Sequence, residues 1–125
     1  MIKILLAEDD NSMREYLTRA LERSGYEVVA VDRGTEAAPL LDKEHFDLLL
    51  TDIVMPEMDG IELAQHCAKV SPETEVMFIT GFSGVRLRAA EAMPKAKMLS
   101  KPFHLRDLVL EVERLFGGHS ASGLN

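Results

Sequence analysis

The chain is 125 residues long, 46% hydrophobic and 28% charged, the size and composition of one globular domain with a packed core rather than a disordered chain. Its net charge of −7 argues against non-specific nucleic-acid binding, and no apolar run approaches the roughly 20 residues that a membrane span needs. A single cysteine, Cys67, excludes an internal disulfide and predicts a reducing compartment such as the cytoplasm. The opening MIKILLAEDD turns acidic too early for a signal peptide. Charge is unevenly spread: residues 1–75 carry 7 Lys/Arg against 17 Asp/Glu, whereas residues 76–106 carry Arg86, Arg88, Lys95, Lys97, Lys101 and Arg106 against Glu91 alone. That basic strip is either a docking face or an unevenly charged solvated surface.

Taken in chain order, short apolar runs alternate with amphipathic stretches. Ile2–Ala7 predicts a strand, and Met13, Tyr16, Leu17, Ala20 and Leu21 recur at helical spacing before Gly25, where a helix ends. Glu27–Val31 is a second strand, and a second helix lies near 35–41 with Pro39 inside it. Asp47–Thr51 follows, then a third helix opened by a capping box of Asp59 with Glu62 and running to about Val70. Glu75–Thr80, a short helix near 85–93 and Ala96–Ser100 come next. Leu105, Leu108, Val109, Val112 and Phe116 mark a last helix stopped by Gly117-Gly118. Runs such as LLL and MFI are apolar on both faces, as strands covered by helices on two sides should be. Five βα units predict an α/β domain with a doubly wound parallel sheet, whose ligands bind at the carboxyl ends of the strands.

At those ends stand Glu8-Asp9-Asp10, Asp52, Thr80 and Ser100-Lys101. Any one of these acids is more often a helix cap than a reactive group, but their joint placement is hard to explain by capping. Two like charges about 4 Å apart repel by roughly 4 kcal/mol at an effective dielectric near 20, so converging Glu8, Asp9 and Asp52 require a proton or a cation between them. A hard divalent ion such as Mg2+ favours carboxylates with water and a phosphoryl oxygen. With Lys101 as a fixed positive charge and Thr80 as a hydroxyl donor, the set suits the charge of a transferring phosphoryl group, and a carboxylate can itself be the nucleophile. Cys67 reads as a small core residue. His45, His66, His104 and His119 have no ligand spacing and read as surface residues.

Glu8-Asp9-Asp10, Asp52 within TDIVMPEMDG, Thr80-Gly81 and Lys101-Pro102-Phe103 resemble the receiver domain of two-component response regulators, in order and spacing, from about Ile2 to Phe116. The resemblance implies the flavodoxin-like strand order 2-1-3-4-5 and a receiver over 1–117, followed by a flexible tail over 118–125. It implies Asp52 as phosphoacceptor, with Thr80 and Lys101 as the switch hydroxyl and the phosphoryl-binding lysine. Glu8, Asp9, Asp52 and the backbone carbonyl of Val54 would be the magnesium ligands, leaving Asp10 to start the first helix. LLAEDD, LLLTDIVMPEMDGIEL, MFITGF and LSKPFHLRDLV are similar to a stand-alone branch of the family in the bacterial cell-cycle phosphorelay. That branch takes its phosphoryl group from a histidine kinase or histidine phosphotransferase and, when unphosphorylated, serves as an adaptor for the ClpXP protease. Such a protein is not an enzyme, binds neither nucleic acid nor membrane, and is a monomer or weak dimer.

Met98 departs from the pattern: many receivers carry an aromatic residue three positions before the lysine, so the usual Thr–aromatic coupling lacks its partner here. Phosphorylation would draw Thr80 and Lys101 inward and bias the 81–106 strip, the expected output surface, while Met13, Arg14 and Leu17 on the first helix would receive the phosphodonor. Val54 and Phe82 cannot hydrogen-bond an attacking water, which predicts slow self-dephosphorylation. A haloacid-dehalogenase-type phosphatase would want an aspartate where Val54 stands. A transcription factor would need a DNA-binding domain, and only nine residues follow Phe116. The remaining alternative is a pseudo-receiver that works by contact without phosphorylation.

Overall fold

The computed structural model describes residues 1–81 and 83–117. The expectations that fall on Phe82, His119 and the 118–125 tail lie outside the described residues. Five strands, β1 (Lys3–Ala7), β2 (Glu27–Val31), β3 (Leu48–Asp52), β4 (Glu75–Thr80) and β5 (Lys97–Ser100), alternate with five helices. The helices are α1 (Asn11–Arg23), α2 (Gly34–Lys43), α3 (Gly60–Val70), α4 (Ser83–Ala92) and α5 (Leu105–Leu115). All pairings are parallel and the order is β2-β1-β3-β4-β5, so the chain reverses direction across the sheet between β1 and β3.

Side chains along each strand alternate between two cores, as the two-residue period requires. Ile4, Leu6, Leu48, Leu50, Met77 and Ile79 pack under α1 and α5 against Leu17, Leu21, Leu108 and Val112. Leu5, Leu49 and Phe78 pack on the other face against Ala37 and Leu41 of α2, Leu63, Ala64 and Cys67 of α3, and Ala89 of α4. The edge strands β2 and β5 are only half-buried, whereas β3 and β4 are covered on both faces.

Several boundaries differ from the sequence expectation. β1 starts at Lys3 rather than Ile2, and β5 at Lys97 rather than Ala96. β3 spans Leu48–Asp52 instead of 47–51, because Asp52 still pairs with Ile79 of β4. α2 is longer than 35–41 and keeps Pro39 inside it, since buried Gly34, Ala37 and Leu41 seat the helix on either side of that residue. α4 runs over Ser83–Ala92, two residues earlier at its start than expected. Tyr16 is not on the buried face of α1. Leu17 and Leu21 take the core, and Tyr16, one position round the helix, is 59% exposed.

Candidate phosphoryl and metal site

The carboxyl ends of the strands converge at the β1/β3 switch point. β1 runs out at Ala7 and delivers Glu8, fully buried, with Asp9 beside it in the open. Asp10 turns the chain as the N-cap of α1, its Oδ1 accepting the Met13 N–H at 2.8 Å. Asp52 ends β3, and one carboxylate oxygen from each of Glu8, Asp9 and Asp52 lies within 4.8 Å of the others. Nζ of Lys101 is 3.6 Å from Oδ2 of Asp52, and the Ile53 N–H donates to Oδ1 at 3.0 Å. Lys101 is held by its own N–H, which donates to the Thr80 carbonyl at 2.8 Å as β5 leaves the sheet.

Electrostatics carry the mark of this crowding. Burial pushes the Glu8 carboxyl up to about 7; the Asp10 N–H on Oε2 opposes the shift, and the neighbouring Asp52 charge adds to it. Asp52 is also raised above the ordinary carboxylate range by burial, with the Lys101 charge pulling the other way. Oε1 of Glu8 is buried with no hydrogen-bond partner among the described residues. A buried carboxylate oxygen left unpaired is costly unless a proton or cation meets it. An all-oxygen donor set of this kind fits a hard divalent ion such as magnesium.

Thr80 is buried at the end of β4. By strand alternation it shares a sheet face with Phe78, which stands opposite Met98 on β5. Met98 is half-buried against the same core cluster as Val85, Ala89 and Ala92 of α4. Val54 follows on the β3–α3 loop with its side chain 51% exposed. Leu17, expected on a docking face, is wholly buried under the sheet. The accessible surface beside the site is instead a groove of about 270 Å³ lined by Met13, Tyr16, Lys101, Pro102, Phe103 and Leu105. Of the histidines, His45 and His104 are exposed, while His66 is partly covered, Nε2 lying 2.8 Å from Oδ1 of Asp42 across α2 and α3.

Two contributors to the site were not anticipated. β2 also delivers an acid: Asp32 joins Asp9, Arg33, Pro56 and Glu57 around a cleft of about 340 Å³ on the open side. The Asp-Arg pair directly after the EVVAV strand was the available signal. Gly60, the first residue of α3, lies against the backbone of Asp52, an approach to which the sequence gives no clue beyond the glycine itself.

Residues 4–113 match the family described as the response regulator receiver domain. This chain belongs to that family. The receiver is 57% identical over 116 residues to the response regulator receiver protein CpdR of Brucella abortus, spanning 92% of this chain and 97% of that one. It is 41% identical over 114 residues to the response regulator FleR of Pseudomonas aeruginosa, covering 90% of this chain but 24% of FleR. Among solved structures, the response regulator TrrA of Thermotoga maritima, in complex with Mg2+ and BeF, superposes with a TM-score of 0.83 at 28% identity, covering 92% of this chain and 99% of that one. The expected fold, five parallel strands in the order 2-1-3-4-5, is the observed one. Its place is in two-component signalling, and no helix among the described residues is long and apolar enough to cross a membrane.

Proposed function

We propose that this receiver is a phosphorylation switch whose phosphoacceptor is Asp52. The observation that carries the reading is the convergence of three carboxylates, one with an unpartnered buried oxygen, beside a lysine 3.6 Å from Asp52. Glu8, Asp9 and Asp52, with the carbonyl of Val54, would hold Mg2+. Bound there, the ion supplies positive charge to the oxygens of the incoming phosphoryl group. A carboxylate oxygen of Asp52 attacks the phosphorus of a partner's phosphohistidine. The new P–O bond forms as the P–N bond breaks, and the electron pair returns to the imidazole nitrogen, which takes up a proton. Lys101 neutralises the phosphoryl oxygens from the opposite side, and Thr80 offers its hydroxyl once the group has arrived.

The groove between α1 and the start of α5 suits the docking of a histidine kinase or histidine phosphotransferase: its apolar wall of Met13, Tyr16, Phe103 and Leu105 opens next to Lys101. We assign output to the basic strip within 81–106, which includes α4 and β5. A phosphoryl group on Asp52 brings about −1.5 to −2 of charge to the end of β3, next to the end of β4 that carries Thr80; Met98, on the same sheet face as Thr80, packs in the core that α4 closes. The identity to CpdR over nearly the whole of both chains supports a cell-cycle role and, in the unphosphorylated form, adaptor action toward the ClpXP protease.

Intact-mass analysis after exposure to acetyl phosphate tests the chemistry. Wild type should gain one phosphoryl group only with magnesium present, and Asp52→Ala none. Absence of both gain and magnesium binding would favour a pseudo-receiver that acts by contact alone. Degradation assays with and without phosphorylation test the adaptor role.

A further inference from the structure

The turn that carries Glu8 and Asp9 is braced from α1. Arg14, four residues into that helix and half-buried, folds back toward the strand end. It donates from Nη1 to the main-chain oxygen of Glu8 at 3.0 Å and from Nη2 to Oδ1 of Asn11 at 2.6 Å. On the other side, the Glu8 N–H donates to the Val31 carbonyl of β2 at 3.1 Å. Both peptide groups of Glu8 are therefore fixed, which commits its side chain to the site where Oε1 is buried. Arg14 also contributes, after the dominant Arg33 contact, to holding the Asp32 carboxyl below its ordinary range, so its charge is felt at the acidic rim.

A cation near a metal site has two effects of opposite sign. As a charge it repels the ion; as a planar fork on a backbone oxygen it orients the groups that receive the ion. We propose that Arg14 is a positioning residue of the cation site, its guanidinium fixing the β1–α1 turn so that Glu8 and Asp9 face Asp52 together. The inference rests on the magnesium reading of those three carboxylates. It concerns neither the phosphodonor nor the output face.

The sign of the effect separates the two roles. Magnesium affinity is measured by calorimetric titration of the unphosphorylated protein, with acetyl phosphate labelling rates at limiting and saturating magnesium alongside. Arg14→Lys keeps the charge and loses the fork; Arg14→Gln loses both. Positioning predicts that both variants bind magnesium about tenfold more weakly, as loss of a group orienting a metal ligand typically does. Labelling should slow at limiting magnesium and recover at saturation. Asn11→Ala, an exposed change that frees one arm of the fork, should show a smaller loss in the same direction and serves should either Arg14 variant fail to fold. Tighter binding in Arg14→Gln with wild-type binding in Arg14→Lys would overturn the proposal in favour of simple repulsion. Unchanged affinity in all three would overturn it in favour of a brace that matters only to the helix. Wild type that binds no magnesium would overturn the cation site itself, and this inference with it.

Discussion

Gly60 lies so close to Asp52 that a Cβ built on it would stand 2.1 Å from the Asp52 carbonyl oxygen, with Cα of Ile53 at 2.9 Å. The Gly60 N–H meanwhile donates to the Ile53 carbonyl at 2.7 Å. The first turn of α3 thus rests directly on the backbone that presents the proposed phosphoacceptor, and the Asp59–Glu62 capping box fixes its angle of entry. Gly60→Ala must push α3 away from β3, because every close neighbour is main chain. We expect a loss of about 2–3 kcal/mol, the usual scale of overpacking, and a thermal midpoint lower by about 10 °C. Labelling of Asp52 should slow as well. Calorimetry and intact mass on the one variant read both, and a midpoint within about 2 °C of wild type would contradict the packing argument.

Glu8 gives the metal-free receiver a pH dependence of definite sign. Its ordinary value is 4.5 and its folded value about 7, so between these the folded state holds a proton that the unfolded state has lost. The stabilisation is complete below about 4.5 and disappears as pH rises through 7. Its size is of order 3 kcal/mol, taking 1.36 kcal/mol per unit. Denaturant titrations in magnesium-free buffer at pH 5 and pH 8 should show wild type losing roughly 2–3 kcal/mol more than Glu8→Gln across that range. Magnesium at about 100 times its Kd should restore roughly 2.7 kcal/mol to wild type at pH 8, and less to the variant. Parallel pH profiles would mean that Glu8 is ionised in the folded protein.

Much of this was legible in the sequence because strands and acids announce themselves locally. Runs such as LLLT and MFIT place Asp52 and Thr80 at strand ends, and the Asp59–Glu62 spacing opens α3 where it does begin. What escaped is what depends on distant contacts. Arg14 reads as part of the phosphodonor-docking face of the first helix, but its side chain lies on the Glu8 carbonyl, and nothing local in the sequence shows that Gly60, next to the Asp59 cap, rests on the backbone of β3. Tyr16 matches the apolar period of α1, but the sheet takes only Leu17 and Leu21, and Tyr16 is left to wall a groove. The Asp-Arg pair after EVVAV marks Asp32 as a polar strand end, but only the fold brings Asp9 and Glu57 to the same cleft.

Cys67 offers a probe of global opening. It is fully buried on α3, and burial pushes its thiol up to about 11. At pH 8 the thiolate that reacts with disulfide reagents is a fraction of about 10⁻³, and the reagent has no path to it in the folded domain. Labelling of native protein by an aromatic disulfide should therefore be slower than labelling in denaturant by a factor of about 10³ or more, tracking the unfolding equilibrium. Fast labelling of the native chain would show that α3 opens independently of the core.

We expect Val54 to set the lifetime of the phosphorylated state. It follows Asp52 by two residues on the β3–α3 loop, half-exposed, and its isopropyl group cannot hydrogen-bond a water. Hydrolysis of an acyl phosphate needs that water held in line with the P–O bond. Val54→Asn adds a donor and an acceptor two residues after Asp52 and changes no side chain proposed to bind the phosphoryl oxygens. One added hydrogen bond in the transition state, about 1.4 kcal/mol, corresponds to about tenfold faster dephosphorylation. The measurement is the decay of phosphorylated protein by intact mass after the small-molecule donor is removed, wild type beside variant, in excess magnesium. A slow wild-type decay that quickens about tenfold in Val54→Asn is the expected outcome. Decay of wild type within seconds would mean that water is oriented by another group, and the hydroxyl of Thr80 would be the first to replace.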